Sequence, residues 1–87
     1  MPPAPTNCTA RSATAGAAAI EWQFSGNADG FRIYQGTTSL EKTVAANTRD
    51  TIIMGLRLNV QYHYDVRAYN AAGESRADAC SADVTSR

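Results

Sequence analysis

The stretch Tyr62-His63-Tyr64-Asp65-Val66-Arg67-Ala68-Tyr69-Asn70, running on into Ala71-Ala72-Gly73-Glu74-Ser75, decides how the rest of the chain is read. Tyr62, Tyr64, Val66 and Ala68 share one side of a two-residue period, and His63, Asp65, Arg67 and Tyr69 share the other. Successive side chains of an extended strand point to opposite faces, so this alternation predicts a strand with one core face and one mixed polar face. The small and polar residues 71–75 then end it in a flexible turn.

The same period extends outward from this stretch. Ala18, Ile20, Trp22 and Phe24 alternate with Ala19, Glu21 and Gln23, which predicts a half-buried strand over residues 18–24. Ser25-Gly26-Asn27-Ala28-Asp29-Gly30 is a turn, after which Phe31 and Ile33 alternate with Arg32 and Tyr34 as far as Gly36. A second turn at residues 37–39 leads into a short edge strand over residues 40–44. Residues 48–56 place Thr51 and Ile53 on one side and Ile52 and Met54 on the other. Residues 7–13 are read as the first strand, and residues 79–85, with Cys80, Ala82 and Val84 together, as the last. No helix is expected, because the alanine run 15–19 is too short and leads straight into strand-like sequence. The pattern is therefore all-β: seven short strands with regular turns, the signature of an antiparallel β-sandwich.

At 87 residues the chain is long enough for one domain and too short for two independent cores. Met1-Pro2-Pro3-Ala4-Pro5 reads as an initiator methionine on a proline-rich linker, so residues 1–5 are expected to be linker and residues 6–87 a single domain. Eight Lys and Arg balance eight Asp and Glu, and a net charge of zero supplies no long-range field toward nucleic acid or an acidic membrane. No apolar run approaches the roughly 20 residues of a membrane span, so neither nucleic acid nor membrane insertion is expected. Cys8 and Cys80 lie near opposite ends, without the close spacing of a zinc or redox motif. By themselves they could be a bridge or two buried thiols.

Several short motifs, in order and at their spacings, resemble a fibronectin type III domain over nearly the whole chain. Pro5 and Asn7-Cys8-Thr9-Ala10 are similar to the family's first strand, with Cys8 where an apolar residue usually points inward. Trp22 matches the tryptophan of its second strand, and Phe31-Arg32-Ile33-Tyr34 its aromatic-x-aliphatic-Tyr third strand. Gly55-Leu56 followed by Tyr62 matches its Gly-Leu-to-tyrosine spacing; Val66-x-Ala68-x-Asn70 with Gly73-x-Ser75 resembles its sixth strand and following loop. The sequence departs from the family's pattern at Leu58, commonly proline, at Asn59, commonly glycine, and in carrying a cysteine pair.

The resemblance implies an immunoglobulin-like fold in which the tyrosine hydroxyl at Tyr62 bonds back into the preceding loop. It also implies that the first and last strands run close and parallel, so that a Cys8–Cys80 disulfide is reasonable; the alternative is a pair of reduced core cysteines. A bridge would place the chain in an oxidising compartment, extracellular or at the cell surface.

Candidate sites follow from the polar faces and turns. The outward face of the third and sixth strands carries Arg32, Tyr34, His63, Asp65, Arg67 and Tyr69, and tyrosine with arginine is the pairing enriched at interfaces. Arg32, Tyr34, Arg67 and Tyr69 are taken as candidate binding residues, with Asn27, Asp29 and Glu74 from turns at one pole as a variable recognition surface. The competing reading is cross-strand pairing, with an arginine beside Asp65 and rings packed on alkyl stems. His63 shares a face with Asp65, but no serine or cysteine is evidently placed to act as nucleophile, so no catalytic residue is assigned. Asp29, Glu41, Asp50 and Glu74 fall in separate turns or edges, and no metal or other cofactor is expected. Asn7-Cys8-Thr9 satisfies the glycosylation pattern and is set aside as chance. Arg76-Ala77-Asp78 has alanine where the adhesive Arg-Gly-Asp tripeptide of some family members has glycine, so that activity does not carry over.

The expected role is that of a non-catalytic, monomeric spacer or interaction module of a larger extracellular protein, similar to modules attached to microbial polysaccharide-degrading enzymes. Its expected partners are neighbouring domains of the same chain and a protein or polysaccharide. The alternative is a carbohydrate- or protein-binding module using the outer face or the pole loops.

Overall fold

The computed structural model describes residues 2–87. Its strands are β1 (Thr6–Ser12), β2 (Ala18–Gln23), β3 (Gly30–Gln35), β4 (Ser39–Ala45), β5 (Asp50–Ile53), β6 (Gln61–Asn70), β7 (Gly73–Glu74) and β8 (Ser81–Thr85). One sheet has the order β1-β2-β5; the other has β4-β3-β6-β7, with β8 also paired to β6, and every pairing is antiparallel.

The two-residue period positions the core. Ile20 and Trp22 from β2, Phe31 and Ile33 from β3, Tyr64, Val66 and Ala68 from β6 and Val84 from β8 are buried together between the sheets. Trp22 and Phe31 lie with ring centroids 5.4 Å apart, and Phe24 meets Phe31 edge-on at 5.1 Å, a favoured aromatic arrangement. Burial pushes the Tyr64 hydroxyl up to about 12, because its ionised form has little access to water.

The strand count differs from the seven read in the sequence. Residues 71–75 are not one open turn: Ala71 and Ala72 form it, Ala72 N donating to Asn70 Oδ1 at 2.8 Å, and Gly73-Glu74 already pair back on β6 as β7. Ser75 N continues this pairing to Ala68 O, and Val66 N donates to Cys80 O. Between those two points β6 has only Arg67, whereas the returning chain has residues 76–79, which bulge out of the ladder. β7 and β8 are thus one strand interrupted by an excursion.

A second irregularity lies in β1. Thr6 pairs with Gln23 and Thr9 with Glu21, so Asn7 and Cys8 together oppose Trp22. This is a β-bulge, and Asn7 adopts φ 53°, a left-handed angle that asparagine tolerates better than most residues. Cys8 is joined to Cys80 in a disulfide that staples the first sheet to the second where β1 packs beside β8.

Tyr62 Oη accepts from Arg57 N at 2.9 Å, and Leu56 packs against the core beside it. Asn59 takes φ 62°, the conformation glycine would supply, and its N–H donates to Ser86 O. Within the stretch read as linker, Pro2 and Pro5 are buried, and Pro3 lies against Gly26 of the β2–β3 loop.

Candidate functional site

On the outer face of β3 and β6 the register sets Arg32 opposite Arg67, Tyr34 opposite Asp65 and Gly30 opposite Tyr69. Two facing arginines repel unless an anion intervenes. Glu74, carried over this face by β7, is that anion: Arg32 Nη1 donates to Oε2 at 2.7 Å, Arg67 Nη1 to Oε1 at 3.0 Å, and the Tyr34 hydroxyl also to Oε2. Burial alone would raise the Glu74 carboxyl, but hydrogen bonds from Tyr34, Arg32 and Arg67 outweigh it and hold the group at about 2. Tyr34 is shifted upward, first by burial and then by its bond to Glu74.

The diagonal neighbours stack. The Arg67 guanidinium lies 4.0 Å from the centroid of the Tyr34 ring, and that of Arg32 lies 4.1 Å from the Tyr69 ring. Tyr69 spans the space a side chain at Gly30 would fill, since a Cβ there would meet its Cε1 at 2.9 Å. One face of each candidate tyrosine ring is therefore already occupied by a guanidinium.

Asp65 and Arg67, read as outward-facing in the sequence, are buried, their side chains 0% and 10% exposed. The excursion over residues 76–79 lies on Asp65, whereas Arg67 is enclosed by the Tyr34 ring and Glu74. Arg67 Nε donates to Asp65 Oδ2 at 2.8 Å and its Nη2 to Thr37 O, while Asp78 N donates to the same Asp65 oxygen at 3.0 Å. The Arg67 guanidinium and Asp65 Oδ2 thus have partners, which is the condition for keeping a charge out of water, while Asp65 Oδ1 is buried without a hydrogen-bond partner.

His63 is half-exposed and holds two carboxylates, with Nδ1 2.5 Å from Asp83 Oδ1 and Nε2 2.8 Å from Asp78 Oδ1. The bonds to Asp83 and then Asp78 raise its pKa above the ordinary histidine value. With both ring nitrogens engaged, neither stands free to take a proton from a nucleophile.

The structure brings Arg32, Tyr34, Arg67, Tyr69 and Glu74 into one network. Asn27 and Asp29 stay exposed on the β2–β3 loop, where Asp29 N donates to Tyr69 O. Among the described residues no group of three or more His, Cys, Asp or Glu converges as a metal site. The sequence reading passed over Asp78 and Asp83 as partners of His63. It also passed over a shallow polar groove on the other sheet, lined by Asn7, Thr9, Glu21, Gln23, Arg49 and Asp50 among others. The outward alternation of Glu21 and Gln23 was the available signal for that groove.

The family model described as Fibronectin type III domain matches residues 3–82. Exoglucanase B of Cellulomonas fimi is 32% identical over 99% of this chain, which spans only 8% of that relative's length. Among solved structures, the FN1–FN3 domains of chicken CNTN1 superpose with a TM-score of 0.85 at 21% identity, covering 99% of this chain and 33% of that one. An Fn3-like protein from Clostridium thermocellum superposes with a TM-score of 0.80 at 20% identity, covering 97% and 92%.

Proposed function

Because the chain belongs to the fibronectin type III family, we propose that it serves as a non-catalytic spacer and interaction module of a larger extracellular protein, accessory to a polysaccharide-degrading enzyme. The observation that carries this reading is the placement of the two chain ends. Pro3 packs on the β2–β3 loop at one pole, whereas Arg87 is held at the other, its N–H donating to Ser12 Oγ at 3.2 Å and its carbonyl accepting from Gly16 N. The chain thus enters at one end of β2 and leaves at the opposite end, along a body 37 Å in its longest dimension. A rigid sandwich traversed in this way sets a fixed distance between its neighbours, which a flexible linker does not.

Three further observations support the reading. The exoglucanase relative is far longer than this chain. The disulfide suits an oxidising compartment. On the outer face Arg32, Arg67 and Glu74 also satisfy one another's charges, which leaves these exposed groups with little unmet demand for a ligand.

The test is replacement within the parent polypeptide. Exchange for an unrelated fibronectin type III domain of the same length retains activity on insoluble polysaccharide, whereas deletion reduces it. Loss on exchange as well as on deletion would reject the spacer. In parallel, soluble cello-oligosaccharides titrated to millimolar leave the amide resonances of the isolated chain in place. Shifts confined to the polar groove or the Tyr34–Tyr69 face would instead make it a carbohydrate-binding module.

A further inference from the structure

The excursion over residues 76–79 departs from the β6 ladder at Ser75 and rejoins it at Cys80, with all four of its residues exposed. Asp78 sits at φ 61°, a left-handed angle disfavoured for a residue with a Cβ, so its turn depends on outside anchors. Three are present: the Asp78 N–H on buried Asp65, and the Asp78 carboxylate on His63 Nε2 and on Ser81. The other ring nitrogen is held by Asp83 from β8, which lies directly opposite His63 in the register.

We propose that His63 is a proton-operated latch: the imidazolium grips Asp83 and Asp78 together and keeps the excursion closed over Asp65, and the neutral ring lets one arm go. The reason is the count of donors. An imidazolium carries N–H on both nitrogens and can satisfy two carboxylates, whereas the neutral ring carries one N–H and turns a lone pair toward the second carboxylate.

The charged groups facing the ring are Asp83 from β8 and Asp78 from the excursion. Asp65 and Arg67 of β6 stand behind Asp78, and Gln61, uncharged, donates to Asp83 Oδ2. On the β3 side the neighbour is Gly36, whose N–H donates to His63 O. Among the described residues no cation competes with the ring for either carboxylate at contact distance, while Arg67 is held by Asp65 and Glu74.

The sign follows from these surroundings. A histidine raised in the folded state contributes stability that is complete below its unfolded value near 6.5 and is lost as pH rises through the raised folded value. The latch is closed below the raised folded value and opens as pH rises through it. Opening uncovers Asp65, so the surface offered beside the Arg32–Glu74–Tyr34 network differs on the two sides of the titration.

The experiment is NMR on the wild-type chain from about pH 5 to about pH 10. Imidazole nitrogen spectra read the protonation of both ring atoms, and amide hydrogen exchange at Asp78, corrected for intrinsic base catalysis, reads the excursion. The expected result is a rise of about tenfold in corrected exchange at Asp78 as His63 loses its proton, the scale of one charge-assisted hydrogen bond. The Val66 amide, in the ladder, does not follow it. In Asp83→Asn the His63 midpoint falls and the Asp78 step moves with it. No step at the His63 midpoint, or a step that stays in place in Asp83→Asn, would overturn the latch.

Discussion

Asn59 holds a left-handed backbone in the exposed loop before Tyr62, at the position where the family commonly has glycine. An L-residue pays about 1–2 kcal/mol there, and asparagine less than most. Asn59→Gly is therefore expected to leave stability unchanged or slightly raised, while Asn59→Ala lowers it by about 1 kcal/mol in chemical denaturation. Equal stability of the two variants would mean that the backbone relaxes out of this conformation. Glu74 gives a second prediction at the same scale. Its carboxyl is depressed from 4.5 to about 2, so its contribution is present above the unfolded value and is lost as pH falls through the folded one. The stability difference between wild type and Glu74→Gln should shrink between about pH 4.5 and about pH 2; a constant difference would show that Tyr34, Arg32 and Arg67 do not hold the carboxyl below its ordinary value. The identities of Arg32, Tyr34, Arg67 and Glu74 were legible as candidates. That one carboxylate serves both arginines and the tyrosine was not, because it depends on where β7 returns across the sheet.

Among the elements, the long alternating strand β6 was read from sequence almost to its ends, since a strand packed on a core must repeat its apolar residues every second position. Interruptions of that rule were harder to see. The β1 bulge sets Asn7 and Cys8 together against Trp22, and the 76–79 excursion splits the last strand into β7 and β8. Neither changes composition enough to leave a mark, because a bulge adds a residue without altering the types on either side. The disulfide acts at this scale, tying β1 in one sheet to the chain entering β8 in the other across a separation of 72 residues. Cys8→Ala with Cys80→Ala is expected to cost about 4 kcal/mol, with reduction of the wild type giving a similar loss, because the unfolded chain regains the entropy of a long open loop. A loss under about 1 kcal/mol in thermal or denaturant unfolding would mean that the sheets hold β1 without the bridge.

In the whole molecule, two sheets enclose one dry interior, and β4 and β5 leave free edges on the side away from the disulfide. Lys42 of β4 reaches across to Ile52 O of β5, a charged side chain on an edge of the kind that discourages pairing with another chain. The opposed chain ends make this body a length of fixed size, the property on which the spacer reading depends. Sequence by itself determined the sandwich, the residues of its core and the corner at Tyr62. The sandwich and its core follow from local periodicity and from turn residues a few positions apart, which water enforces wherever a strand has one wet and one dry face, whereas the corner follows from the resemblance of Gly55-Leu56 and Tyr62 to the family's spacing. Only the tertiary structure decided that Asp65 and Arg67 are covered, that His63 links Asp78 to Asp83, and that Glu74 joins Arg32 to Arg67. Each of these joins charges on separate segments, and such pairings are set by strand register and by the path of an irregular loop, which alternation does not encode.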